Sequence, residues 1–461
     1  MKKLLIYELN ELPKELLLDY IKLKPSSTIS KLYKEGTFKI TKTFDQGELH
    51  PWSTWPTFYR GVNNNLHKIQ FINQDKTFAE KNYPPIWNIL ANKGISIGIF
   101  GSLQSYPPPK IENISFYLPD TFAPKSNAIP QSLKVFQDFN LNLVGNNNAV
   151  TRPISLVDVK NFIKCIFNRL ISFKTILKIS FHISKELLFP KYKLRRSLMQ
   201  PLLSFDPYTW QLKKYKPSFS TFFTNHLAGM MHRYWYDFYP NEFRNSVRKV
   251  SLFKRKSIIK AMDIADKQIK TLLSFAKENN YDLWVASSMG QAAIERGSYN
   301  KEIFLNDPKK LLKALDLNSD NYKIVPSMYP DINLICKDLK ANEQICRKIK
   351  LILDSTNKQI IKVRYKQKSN TVNLIINTSK KIAEDNFIKI KNKKFKLNEI
   401  GMSFIERDIG TGYHIPEGIL LAYGNTSQNL LKSYEIIDTA LVAPLILKYF
   451  NIKQKKYMKK V

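Results

Sequence analysis

Short apolar runs, each set next to a helical stretch, recur along this chain and leave few folds open to it. Residues 3–7 are a compact apolar run with charges on both sides, and residues 14–23 read as a helix that starts behind Pro13. Similar runs stand at 95–100, 218–224 and 283–286, with 331–336 as a fifth. Helical stretches precede two of them, at 87–93, ended by Gly94, and at roughly 251–279. Strands that alternate with helices call for an α/β fold built on a largely parallel sheet. Ligands of such sheets lie beyond the carboxyl ends of the strands. That rule marks Glu8 after the first strand, Asn225-His226 after the third and Ser287-Ser288 after the fourth.

At 461 residues the chain is long for one core, so one large α/β domain with insertions or two domains are expected. Two stretches break the alternation. Residues 157–216 are helical, apolar and basic, a cap over the site, an amphipathic segment on a membrane face, or an insertion packed on the core with its lysines outward. Residues 359–400 alternate apolar and polar side chains, from Ile361, Val363 and Tyr365 to Phe387, Ile388 and Ile390, which predicts antiparallel strands. The α/β core is then 1–156, 217–358 and 401–461, with a helical basic insertion at 157–216 and a β insertion at 359–400.

The net charge is +35, from 73 Lys and Arg against 38 Asp and Glu. Such a surface suits anionic partners: nucleic acid, an anionic membrane or a phosphorylated substrate. The lysines are spread over the whole chain, and no zinc-finger spacing, aromatic RNA-binding signature or basic heptad region accompanies them, which argues against nucleic acid. Cys165, Cys336 and Cys346 show neither metal-ligand spacing nor a disulfide framework, as in a reducing, cytoplasmic setting. The first apolar run stops at Glu8, too soon for a signal peptide, and no run approaches the ~20 apolar residues of a spanning helix.

The chain has only six histidines, and five fall in three short blocks. His50 and His67 flank Pro51-Trp52-Ser53-Thr54-Trp55-Pro56-Thr57. His226 and His232 bracket a run leading to Trp235, and His414 lies among Gly410, Gly412 and Gly418. Histidine titrates near neutrality and is the commonest metal ligand, so scarce histidines beside hydroxyls, tryptophans and glycines suggest one site assembled from distant segments. Ser53 and Thr54, in a tryptophan-walled loop, are candidate nucleophiles, a role that needs a base, a metal or a helix N-terminus to activate the hydroxyl; capping of the following helix is the structural alternative. His226 or His232 could be ligand or acid/base, or could pack between aromatics. His414, on a loop held by glycines, stands where functional residues concentrate.

Taken in order, these blocks resemble the alkaline phosphatase superfamily, in particular its type I phosphodiesterase and nucleotide pyrophosphatase branch. Leu4-Leu5-Ile6-Tyr7-Glu8 resembles the family's first strand and its metal-binding acid. Trp52-Ser53-Thr54-Trp55-Pro56, Arg60-Gly61 and His67-Lys68-Ile69 are similar to the nucleophile segment. Ala228 through His232 stands where the family has an Asp-x-x-x-His pair, Ser287-Ser288-Met289-Gly290 where it has Ser-Asp-His-Gly, and Gly412-Tyr413-His414 where it has Gly-x-His. The Glu8-Leu9-Asn10-Glu11 start is similar to a divergent group encoded among surface-polysaccharide genes.

The resemblance implies an alkaline-phosphatase-like, mostly parallel sheet with helices on both faces. It implies hydrolysis or transfer at a phosphoester of a nucleotide-, sugar- or lipid-linked phosphate; the cysteine usage sets that work in the cytoplasm, and the basic insertion suggests contact with the inner membrane face. The departures at Ala228, Ser288 and Met289 remove ligands of a two-metal site. His232, His414 and Glu8 remain to hold one divalent ion, zinc or manganese, with Ser53 or Thr54 attacking and His226 and Glu8 as ligand or base. With no ion held, the chain would instead be an inactive binding protein for a glycan precursor or an assembly partner.

Overall fold

The computed structural model describes residues 2–144, 155–244, 249–295, 301–325, 327, 331–365, 370–376, 385–406 and 410–461. The chain divides into two units, one of residues 1–70, 77–294 and 410–461, the other of residues 71–76 and 295–409.

The first unit is built on an eight-stranded sheet. Its strands are β1 (Leu4–Leu9), β2 (Thr37–Lys42), β3 (Ile97–Phe100), β4 (Ile114–Leu118), β5 (Phe219–Thr224) and β6 (Asp282–Ala286), followed late in the chain by β9 (Glu417–Tyr423) and β10 (Ile436–Asp438). Between these two groups, β7 (Gly290–Glu295) and β8 (Gly410–Ile415) form a separate two-stranded ribbon. The sheet order is β10-β2-β9-β6-β1-β5-β3-β4. β1 pairs in parallel with β5 and β6, β3 with β4 and β5, and β10 with β2; β9 alone runs against its neighbours β2 and β6. Every residue of β1 is buried, so both faces of the sheet are covered, which is why its sequence is continuously apolar rather than alternating.

The predicted elements fall largely where expected. Helix α1 (Lys14–Leu23) follows Pro13, and the helix before β6 spans Leu252–Asn279, its first turn capped by Ser251, which accepts from the Lys254 amide. Within the eight-stranded sheet, β2, β4 and β10 were not read from the sequence. The run 331–336 is a strand, but not of the parallel sheet. Asp331–Cys336 pairs antiparallel with Thr371–Ile376 and Tyr322–Val325 in the second unit. A period-two run of five or six residues carries no mark of which sheet will take it.

The 157–216 stretch is helical and part of the first unit. Helices α3 (Leu156–Phe167) and α4 (Phe173–Leu188) are followed by a 3₁₀ stretch, Pro190–Met199, and a further helix, Gln200–Tyr215. Leu170, Ile179, Leu198 and Tyr208 join the main core.

In the second unit a four-stranded antiparallel sheet of Ile361–Tyr365, Thr371–Ile376, Asp331–Cys336 and Tyr322–Val325 packs with the helix Leu339–Ile349 around Leu334, Ile345, Ile361 and Leu374. The antiparallel strands expected over 359–400 lie inside this second unit, of residues 71–76 and 295–409.

Candidate metal centre

The parallel strands deliver their carboxyl ends to one edge of the sheet. β9 is antiparallel, so it is the segment before its start, not after its end, that reaches this edge. Glu417 pairs with Lys42 at the end of β2, and Leu420 with Ala286 at the end of β6. β8, which ends two residues before β9 begins, therefore brings His414 to the same edge that receives the turn after β1.

That turn holds the acid of the site. Glu11 lies two residues past β1, is buried, and has φ of 62°. A non-glycine residue in the left-handed region costs on the order of 1 kcal/mol and is commonest where a site demands it. Its Oε2 is 3.0 Å from His232 Nε2 and 3.5 Å from His414 Nε2. Glu11, His232 and His414 each offer one ligand atom, and these atoms lie within 4.8 Å of one another. Burial pushes the Glu11 carboxyl up, but the facing His414 and His232 rings outweigh it and hold it well below the ordinary carboxylate range.

Neighbouring groups fix this set. Asn10 Nδ2 donates to Glu11 Oε1 at 2.8 Å, and its own amide oxygen accepts from Trp55 Nε1 at 2.8 Å, which settles the amide's orientation. Gln291 donates through Nε2 to Glu11 Oε2 and to the Ala228 carbonyl. His232 Nδ1 is 2.9 Å from the Gly412 carbonyl. A carbonyl only accepts, so Nδ1 carries the proton and it is Nε2 that faces Glu11, either protonated as part of an imidazolium or as the lone pair of a neutral ring. A lone pair facing a carboxylate needs a proton or a cation between them. A donor set of two imidazoles and one carboxylate fits a zinc-like ion with an open position, and a ring held through its second nitrogen is the usual support for such a ligand.

His50 completes the surroundings. It sits at the N-cap position of α2 (Pro51–Arg60), stacks on Trp52 with ring centroids 4.5 Å apart, and lies 5.7 Å, ring to ring, from His414. Neither of its ring nitrogens has a hydrogen-bond partner among the described residues.

The structure brings His232 and His414 together, and the other expected site residues bond to different partners. Glu8 is inside β1 rather than after it. Its Oε1 accepts from Tyr59 and Ser102, both at 2.6 Å, and burial pushes its carboxyl up to about 7. Glu11, three residues on, takes the place expected for Glu8. His226 opens the helix α5 (His226–Phe238), and both its ring nitrogens are engaged in the core, with Thr224 Oγ1 at 2.7 Å and the Ala261 carbonyl at 2.9 Å. At ~100° per residue, the six-residue step to His232 turns the two side chains in different directions.

Ser53 and Thr54 are not in a loop but in α2, whose first residue is Pro51. Neither caps it: Ser53 Oγ reaches Asp45 at 3.5 Å, and Thr54 Oγ1 is paired with Ser288 Oγ at 2.7 Å. His414 lies in the strand β8, not a loop. His67 Nδ1 accepts from the Ile69 amide, so its Nε2 carries the proton and donates to Thr57 Oγ1, which donates to Asp45.

Glu11, Asn10 and Gln291 were missed from the sequence. Glu11 had one signal, its place in Glu8-Leu9-Asn10-Glu11 directly after an apolar strand.

Fold and site define a mixed α/β protein whose central sheet carries a carboxylate and two histidines at its carboxyl edge. No family model and no curated protein matches the sequence. Solved structures do. Murine ectonucleotide pyrophosphatase/phosphodiesterase 5 is 12% identical, with 98% of this chain and 96% of that chain covered, at a TM-score of 0.44. A mutant of TAB5 alkaline phosphatase with magnesium bound is 11% identical, with 98% of each chain covered, at 0.40. Phosphonoacetate hydrolase from Sinorhizobium meliloti, in complex with phosphonoformate, is 10% identical, with 97% of this chain and 96% of that chain covered, at 0.43.

Proposed function

We propose that this protein acts at a phosphoester of a nucleotide-, sugar- or lipid-linked phosphate, as a hydrolase or transferase, with Glu11, His232 and His414 holding one divalent ion, zinc or manganese. The observation that carries this reading is the meeting of Glu11, His232 and His414 from three remote segments, with ligand atoms within 4.8 Å. An ion bound there would serve as a Lewis acid toward a phosphoryl oxygen. Asn10 and Gln291 orient the Glu11 carboxylate, the Gly412 carbonyl holds the His232 ring, and His50, whose Nε2 lies 3.7 Å from Glu48 Oε2 and whose ring is 5.7 Å from that of His414, is the group placed to hold or deliver a proton. The excess of 35 positive charges favours approach of an anionic substrate. The resemblance to proteins encoded among surface-polysaccharide genes suggests a cytoplasmic role in building such a polysaccharide. Ser53 and Thr54 remain the hydroxyls closest in sequence to the start of α2; as they stand, their bonds go to Asp45 and Ser288.

One observation favours a second reading. Where the resembling family has an Asp-His pair, Ser288 is bonded to Thr54 and Met289 is buried in the core. Methionine does not serve a hard, phosphate-activating ion. A chain that kept the fold and lost the chemistry would bind a glycan precursor or an assembly partner. Elemental analysis of the purified protein, beside its hydrolysis of bis(p-nitrophenyl) phosphate, separates the two. A stoichiometric ion and a measurable rate, both lost in His232→Ala/His414→Ala, are expected. A folded wild type with neither ion nor rate would leave the binding reading.

A further inference from the structure

Helices α3 and α4 turn large apolar side chains to solvent. On α4, at 3.6 residues per turn, Phe173, Leu177, Phe181 and Leu188 share one stripe about 80° wide. Phe173 is 72% exposed and Leu188 73%. On α3, Leu156, Ile163 and Phe167 are exposed, Phe167 to 82%. The opposite face of α4 is buried and polar. His182 Nε2 lies 3.0 Å from Glu186 Oε1, and the Arg196 guanidinium binds the same carboxylate through Nε at 3.0 Å. A helix that buries a charged network while exposing phenylalanines reverses the pattern of an ordinary surface helix. Such a patch marks an interaction surface.

The charges around it say what it meets. Lys174, Lys178 and Lys185 run along one border of the α4 stripe, and Lys185 Nζ sits 4.1 Å from the centroid of the Phe181 ring. Residues 155–216 contain 13 Lys and Arg but only three acids, Asp158, Glu186 and Asp206. Asp158 and Glu186 are buried, and Asp206 accepts from the Ser172 amide. No acid in this stretch is exposed. A second copy of the chain would oppose like charges across this face, whereas an anionic lipid surface supplies apolar depth and negative headgroups together. Among the described residues, no helix is long and apolar enough to cross a membrane, so contact would be interfacial.

We propose that α3 and α4 form a docking surface for an anionic lipid bilayer, with the phenylalanine and leucine side chains at the acyl boundary and the lysines at the headgroup phosphates. The surface is tied to the metal centre. The Pro190–Met199 stretch that follows α4 bonds to α5, the helix that bears His232, through Arg233 Nη2 to Ser197 Oγ at 3.1 Å and Tyr234 Oη to the Leu194 carbonyl at 3.3 Å. Bilayer docking does not depend on the phosphoester reading, and its test needs no activity.

The full chain is sedimented with phosphatidylcholine vesicles with and without phosphatidylglycerol. The wild type binds the anionic vesicles at least about tenfold more tightly than the neutral ones, and less tightly as salt rises. Phe167→Ser/Phe173→Ser/Phe181→Ser loses roughly tenfold or more of that binding with an unchanged circular dichroism spectrum. Lys174→Glu/Lys178→Glu loses the preference for anionic vesicles and keeps the proposal testable if the phenylalanine variant does not fold. Failure of the wild type to bind anionic vesicles overturns the proposal, as does equal binding by both variants. Self-association that the phenylalanine variant abolishes, without vesicle binding, assigns the face to a second copy and overturns it too.

Discussion

Glu11 Oε2 faces His232 Nε2 at 3.0 Å, and the other nitrogen of that ring is held by the Gly412 carbonyl at 2.9 Å. The carboxylate and the imidazole are 221 residues apart in sequence. β1 and β5 bring them together, since these strands are parallel neighbours whose carboxyl ends lead to Glu11 and to α5.

Asn10 is a positioning residue. Its amide is oriented by Trp55 and donates to Glu11, while contacting no expected ion itself. Asn10→Ala should weaken ion affinity about 10- to 100-fold, as loss of such supporting bonds does. Competition with a chromophoric chelator measures this, and an unchanged affinity would remove Asn10 from the centre.

Glu8 should make stability depend on pH. Its folded-state carboxyl titrates at about 7 against an ordinary value of 4.5. Between these values the unfolded chain releases a proton that the folded chain retains. Stability is therefore highest below pH 4.5 with respect to this group and falls as pH rises toward 7, by roughly 3 kcal/mol. Glu8→Gln keeps an acceptor for Tyr59 and Ser102 and abolishes the titration. Its melting temperature relative to wild type should be clearly higher at pH 8 than at pH 5; a constant offset would contradict the assignment.

His226 has the opposite sign. Burial lowers its pKa from 6.5 to about 4, so the stabilisation of its neutral form is complete above pH 6.5 and is lost as pH falls toward 4. His226→Leu strands Thr224 and the Ala261 carbonyl and should cost about 1–3 kcal/mol near pH 7, with the gap to wild type narrowing in acid. Ion content should not change, because the ring is committed to the core. A variant that unfolds normally but has lost its ion would return His226 to the site.

The hydroxyl pair Thr54–Ser288 should behave as a buried structural bond. Thr54→Val alone leaves Ser288 unpaired in the core and should destabilise by about 1–3 kcal/mol, whereas Thr54→Val/Ser288→Ala should be nearly neutral. Denaturant midpoints of the two variants test this, together with the phosphodiester rate. A rate lost in Thr54→Val at unchanged stability would make Thr54 a nucleophile after all.

Part of this protein was legible in one dimension. The apolar run 3–7 read as a buried strand, Pro13 marked where α1 begins, and the blocks around His232 and His414, set against the family they resemble, marked the two histidines that do meet. These are local signals, set by backbone sterics and by the period of apolar residues. What only the tertiary structure decided is which acid joins them. Glu8 and Glu11 are three residues apart and chemically near-identical. Glu8 is still inside β1, and its side chain is buried with Tyr59 and Ser102, whereas Glu11 lies beyond the strand in a left-handed turn opposite His232 and His414. The same holds for 331–336, whose sheet is chosen by its partners and not by its own residues. Spacing along a chain determines which face a side chain takes within one element; contact between elements depends on where the sheet ends and how its strands are ordered, and those are properties of the folded whole.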